Sequence, residues 1–227
     1  MSALVWDTTG SRFYETGTDH GVLYPMVDGA YPKGIAWSGL TGYTESPAGA
    51  EAQDMWADNM KYASPRSAET YGSTIEAYWY PDEWAECDGS ASIAKGVTFG
   101  QQKRNSFGFV CRTIIGSDTD PEAGYKLHIQ YNSTASVSER SHTTSNDSPE
   151  GMTMSWTTTA NAVPVTVKDK NGHTLKPVAK ITIDSTKTDP TKLKALEAIL
   201  FGSEEQEARL PLPDEIFTLM KDSSTTG

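Results

Sequence analysis

What this chain lacks narrows its function before anything present is considered. No run of residues is long and apolar enough to cross a bilayer as a helix. The opening stretch MSALVWDTTG has neither a basic region nor an apolar core, so no secretion signal is expected there and a cytoplasmic product is. Cysteine is scarce. Cys87 and Cys111 are too few for a disulfide-stapled scaffold and are expected as buried, reduced thiols. The triplet Asn132-Ser133-Thr134 fits a glycosylation acceptor, but without a signal it reads as chance. Cations are scarce as well. Nineteen Lys and Arg face thirty Asp and Glu, for a formal net charge of −11. Phosphate affinity comes from clustered Lys and Arg, so the bulk surface is not that of a nucleic-acid binder.

Catalytic signatures are missing too. There is no G-x-S-x-G, no P-loop and no G-x-G-x-x-G. His20, His128, His142 and His173 show no metal-type spacing, and no C-x-x-C is present. No catalytic residue, cofactor or metal ligand is therefore expected. Asp118, Asp120 and Glu122 resemble the start of a calcium loop, but Ala123 stands where that loop needs Gly and Ile129 where it needs Glu. A solvated hairpin tip is the plainer reading. The stretch YWYPDEWAE sets aromatics beside carboxylates. Tyr78, Tyr80 and Trp84 would suit a carbohydrate-binding β-sandwich module. A glycoside hydrolase would need Glu83 and Glu86 to face each other across a cleft, which neighbours at one strand end do not do. Trp79 and Trp84 read more plainly as core or interface residues.

What is present is strand. Residues 124–131 read GYKLHIQY, with Tyr125, Leu127, Ile129 and Tyr131 alternating with Lys126, His128 and Gln130. That period predicts one dry face and one wet face. FGFVCRTIIG is expected to pair with it as a hairpin across the acidic tip SDTDPEA. STIEAYWYP, GMTMSWTTT and AKITID supply further strands. Asn171-Gly172 marks a type I′ hairpin turn.

Residues 1–45 suggest short strands and turns. Residues 46–72 suggest an extended polar loop or arm with at most one helical turn. The β core is expected over 73–184, two helices over 189–220, and a disordered tail over 221–227, all in one domain. Asp189 as N-cap, Pro190 at the first helical position and Gly202 past the end bound the first helix. Its stripe of Leu193, Leu196, Ile199 and Leu200 must cover a sheet. Asp214 and Glu215 suit the first turn of a second, shorter helix. The predicted class is mainly β, of α+β type: an antiparallel β-sandwich or barrel flanked by a C-terminal helix.

The order of segments YGSTIEAYWYPDEWAECDGS, GQQKRNSFGFVCRT, DSPEGMTMSWTTT, ITIDSTKTDPTKLKALEAILFG and ARLPLPDEI resembles the major tail protein of long-tailed, non-contractile bacteriophages, over roughly residues 20–220. The resemblance implies a structural virion protein and not an enzyme. Its subunits form hexameric rings that stack into a hollow tube, through which DNA passes without specific binding. It also implies tape measure, tail terminator and distal tail proteins as partners, no membrane, and residence in the virion tail. On that reading Met55, Trp56, Met60, Tyr62 and Arg66 of the arm, with Asp118, Asp120 and Glu122 of the hairpin tip, are candidate contacts between subunits or rings. Lys126, His128 and Gln130 are candidate lumen or contact residues. Stacking must overcome repulsion between acidic copies, so assembly is expected to be salt-sensitive.

Overall fold

The computed structural model describes residues 3–142, 144, 151–168 and 172–221. Its strands are β1 (Phe13–Pro25), β2 (Ile35–Trp37), β3 (Leu40–Glu45), β4 (Ala48–Gly49), β5 (Met55–Ala57), β6 (Met60–Ala63) and β7 (Glu69–Ala77). After the short helix α1 (Trp84–Cys87) come β8 (Ala91–Ala94), β9 (Val97–Phe99), β10 (Phe107–Ser117), β11 (Gly124–Ala135), β12 (Met154–Ala160) and β13 (Lys180–Asp184). Helices α2 (Pro190–Phe201) and α3 (Pro213–Met220) follow.

Among the described residues, nine strands form one antiparallel sheet in the order β2-β1-β10-β11-β12-β7-β3, with β13 also on β11 and β4 on β7. The sheet forks along β11. Lys126–Gln130 pair with β13, whereas Ser133–Ala135 pair with β12. The fork falls at Asn132, whose φ is +44°, beside a register slip between β10 and β11. A bulge bends its strand and increases local twist. Beyond the bend, β12, β7, β3 and β4 fold over as a second layer on β2, β1, β10, β11 and β13.

One end of the space between the layers is apolar. Leu23, Trp37, Ile75, Phe107, Phe109 and Trp156 fill it, and Trp84 and Cys87 of α1 join them. The Trp37 ring lies 4.8 Å from Trp84 and 5.5 Å from Trp156, the spacing of tilted and edge-to-face aromatic contacts. Burial pushes the Cys87 and Cys111 thiols up to about 12, which leaves both as protonated core side chains.

The opposite face of the first layer lies under the helices. Val22, Tyr24, Val110, Leu127, Ile129 and Tyr131 pack there against Leu193, Leu196, Leu200 and Ile216. Ile199 is half-buried. The Asp189 carboxylate accepts from the backbone N–H of Thr191 at 2.8 Å and of Lys192 at 3.1 Å, capping α2. Pro190 opens α2, and Gly202 follows it with φ +81°. Sheet tyrosines bind helix-side carbonyls: Tyr24 donates to Leu200 at 2.6 Å and Tyr131 to Pro211 at 2.9 Å.

Several expectations are corrected. The first 45 residues are not only short strands, because β1 is one long member of the main sheet. It absorbs bulges at Gly17 and His20, both with positive φ. Residues 46–72 are not an irregular loop. They carry β4, then a β5–β6 hairpin, and they enter β7. Its turn, Asp58-Asn59, has φ +51° and +60°, the two positive values of a type I′ turn. Asn171 lies outside the described residues, but the bridges Val163–Val178 and Lys168–Thr174 pair the segments on either side of that turn. The tail beyond Lys221 also lies outside them. The wet face of β11 is not wet, because His128 and Gln130 are buried and only Lys126 reaches the rim. The alternation was read correctly, but both faces of β11 are covered, one by helices and one by the second layer.

Candidate assembly surface and polar interior

The second layer covers His128 and Gln130 with polar partners, so their burial is compensated. The Gln130 Oε1 accepts from Ser73 at 2.8 Å and from Tyr43 at 3.2 Å, and its Nε2 donates to Thr158 at 3.0 Å. Ser73 and Thr158 share a hydroxyl contact of 2.7 Å, and Tyr43 and Tyr71 one of 2.8 Å. Burial raises both tyrosines well above their ordinary value. One end of the sandwich is therefore aromatic and the other is a closed polar net.

His128 stands in a line of three groups. Its Nδ1 is 3.1 Å from Glu45 Oε1, and its Nε2 is 2.9 Å from the Thr113 hydroxyl. A carboxylate only accepts, so Nδ1 carries the proton and Nε2 accepts from Thr113 at the shorter distance, which takes the one hydroxyl proton from the longer 3.3 Å contact with Glu15. This order of hydroxyl, imidazole and carboxylate is that of a nucleophile relay. Such a relay also needs a cleft at the hydroxyl and donors for an oxyanion. Neither Thr113 nor His128 lines the cavities bounded by Val165 and Ile216, by Phe13 and Lys126, by Glu45 and Lys180, or by Pro25 and Glu86. The line instead continues to ion pairs: Lys180 donates to Glu45, and Lys126 to Glu15. It closes the rim of the sandwich. Arg112 lies on the helix-side face, away from Lys126. It forks onto Asp19 with two contacts of 2.8 Å and covers the Tyr125 ring at 4.8 Å.

Desolvation holds the His128 imidazole below its ordinary 6.5, so it is neutral in the folded chain. The unfolded chain then binds the extra proton below about pH 6.5, and folded stability falls as pH drops from 7 toward 5.5. The Glu15 carboxylate, hydrogen-bonded by Lys126, is also shifted downward, from 4.5, so its contribution is lost only at lower pH. His128→Gln is expected to flatten the melting temperature between pH 7 and 5.5. Parallel wild-type and variant profiles would show that His128 does not titrate in that window.

The candidate contact residues divide into two groups. Met55, Trp56, Met60 and Tyr62 all lie on the β5–β6 hairpin with their side chains in solvent, Trp56 at 68% and Tyr62 at 74% exposure. Arg66 closes the hairpin base through a bridge with Ala52. The acidic tip behaves differently. Asp118 accepts from Gly10 N–H at 3.0 Å and lies 4.0 Å from Arg12, so it anchors the N-terminal segment. Asp120 caps Glu122 N–H at 3.0 Å, and Glu122 is exposed. The tip is an internal clasp as much as a surface.

The aromatic platform is not assembled as drawn from the sequence. Trp84 is wholly buried, while Trp79 is 70% exposed and stacks on Tyr80 at 5.9 Å. Tyr78 is exposed. Glu83, the N-cap of α1, and Glu86, within its single turn, are both exposed and line one cavity, and Glu86 accepts from Asn105 at 3.2 Å.

Sequence reasoning missed the β8–β9 hairpin, which carries exposed Ile93, Val97 and Phe99. Its signals were Lys95-Gly96, with Gly96 at φ +76°, and the β-branched or aromatic residues around them. Leu4, Val5 and Trp6 are exposed as well.

A scan against protein families and a search of curated proteins find no match to this chain. Among the described residues, no group of three or more His, Cys, Asp and Glu is placed to hold a metal ion. No described helix is long and apolar enough to cross a membrane.

Proposed function

We propose that this chain is a self-assembling structural subunit, the building block of a phage tail tube. One observation carries the reading: two projecting ribbons, β5–β6 and β8–β9, hold large apolar side chains in solvent. An isolated two-stranded ribbon is marginal in water, and exposed apolar patches of this kind mark protein–protein contacts. A second copy of the chain satisfies both.

The sheet supports this reading in two ways. Among the described residues, β2 and β13 each pair on one side only, leaving the first layer open at both ends. Edge pairing around a ring would remove those edges. The helices cover the outer face of the first layer, so the uncovered sheet face is the outer face of the second. There Thr44, Thr74 and Thr157 form one row in register, flanked by Thr159, Glu76 and Ser155. These positions carry hydroxyls and one carboxylate but no Lys or Arg. A wall of that composition does not hold phosphates, and so suits a channel for DNA in transit. This face replaces Lys126, His128 and Gln130 as the lumen candidate. The expected tape measure, terminator and distal tail partners belong to the same proposal.

Negative-stain electron microscopy of the purified chain, over a concentration and salt series, tests it. Rings or hollow tubes of uniform diameter are expected. Dispersed monomers throughout, with sedimentation velocity giving a single monomeric species, would overturn it.

A further inference from the structure

The two ribbons differ in charge as well as position. From Glu45 to Met60 the chain contains Glu45, Glu51, Asp54 and Asp58 and no Lys or Arg. From Gly89 to Ser117 it contains Lys95, Lys103, Arg104 and Arg112 and no Asp or Glu. So the β5–β6 ribbon presents Met55, Trp56 and Met60 with Asp58 at its tip and with Lys61 held by Asp54, and the β8–β9 ribbon presents Ile93, Val97 and Phe99 with Lys95 at its tip and Lys103 beyond its base, while Glu83 and Glu86 line a cavity on its α1 side with Ser92.

Charges are available at the tip of each ribbon, Asp58 and Lys95, and at its base, Glu51 and Lys103. Glu51, Asp58, Lys95 and Lys103 are exposed, and none forms an ion pair among the described residues. Asp54 is engaged within its own ribbon, 2.7 Å from Lys61, and Arg104 donates to the Asp88 carbonyl at 3.0 Å. In a chain of net charge −11, a stretch of 29 residues without a carboxylate is the natural target for an acidic arm on another copy.

We infer that the β5–β6 ribbon of one copy docks on the β8–β9 ribbon of the next, with apolar side chains meeting at the centre and Glu51 and Asp58 facing Lys95 and Lys103 at the rim. This rests on the self-assembly proposed above and names the contact. The contact is heterologous, because two different surfaces of the chain meet. Such contacts propagate into rings or filaments and do not stop at a two-fold dimer. It also gives each ribbon the apolar cover that an isolated hairpin lacks.

Charge reversal tests it. The variants Glu51→Lys/Asp58→Lys and Lys95→Glu/Lys103→Glu alter exposed side chains only, and their unfolding curves should match wild type. Each is expected to raise the critical concentration for assembly by about tenfold or more, as like charges then face each other. In an equimolar mixture of the two variants only the mixed contacts pair opposite charges, so the mixture should recover assembly with the two variants alternating. The chain carrying all four changes restores opposite charges and should recover assembly. In parallel, Asp58→Cys mixed with Lys95→Cys should cross-link into heterodimers with a short bis-maleimide, while either alone should not.

If wild type assembles and the reversals have no effect, or both cysteine variants cross-link only with themselves, the ribbon contact is wrong and the tube reading stands. If wild type never assembles under any condition, the tube reading fails and this contact fails with it.

Discussion

Leu196→Asp is expected to abolish the native fold or lower its melting temperature by about 10 °C or more. Leu196 is wholly buried at the centre of α2, against sheet side chains that include Leu127, Ile129 and Tyr131. Among its neighbours in this cluster none carries a charge, so the new carboxylate would be desolvated without a partner. The cost of an unpaired charge in a packed site is about 4 kcal/mol or more, against a total stability of about 5–15 kcal/mol for a typical domain. Thermal unfolding followed by circular dichroism reads the effect. A variant melting within about two degrees of wild type would mean that α2 is not held against the sheet. Leu196→Met, which keeps volume and polarity, should cost less than about 1.5 kcal/mol and separates a charge effect from mere sensitivity of the site.

Replacing residues 54–64 by Gly-Gly is expected to leave the monomer folded and to eliminate assembly. Among the described residues the β5–β6 ribbon pairs only with itself, and its side chains at Met55, Trp56, Met60 and Tyr62 belong to neither core cluster. Its base is already drawn together, since Gln53 N–H donates to the Pro65 carbonyl at 2.9 Å, so a short turn can bridge the gap. Melting should change little. Electron microscopy should show no tubes at concentrations where wild type forms them. Tubes of normal diameter from the shortened chain would remove the arm from the assembly contact and leave the β8–β9 ribbon and the sheet edges to account for it. The salt series then gains a second meaning. Added salt relieves repulsion between acidic copies and weakens the rim pairs together. Assembly is expected to pass through an optimum at intermediate ionic strength.

Much of the fold follows from short-range signals. Asp189, Pro190 and Gly202 bounded α2, and all three occupy the positions expected of them. Phe107, Phe109 and Cys111 share one face of β10 as their alternation requires. The β10–β11 hairpin spans the acidic tip that separates its strands. The Leu193, Leu196 and Leu200 stripe needed a sheet to cover and has one. Each of these depends on spacing within about a dozen residues, and a helix or strand period is a local property.

The failures were of another kind. Residues 46–72 looked irregular because the ribbon strands are three and four residues long, too short for a period to emerge. Only the Asp58-Asn59 turn marked them. Trp79 and Trp84 read alike in the sequence, as core or interface residues, but the run turns them to opposite sides: Trp84 enters the core while Trp79 stays outside.

His128 and Gln130 show the limit most clearly. The sequence by itself determined that β11 has one apolar and one polar face. Which face meets water was decided by the tertiary structure. The bend at Asn132 folds β12, β7 and β3 over the polar side, and these bring Ser73, Thr158, Tyr43 and Glu45 within bonding distance of it. Those partners lie between 28 and 87 residues away in the chain. A polar face predicts water only when nothing else can satisfy it, and satisfaction at that separation is set by how the layers close.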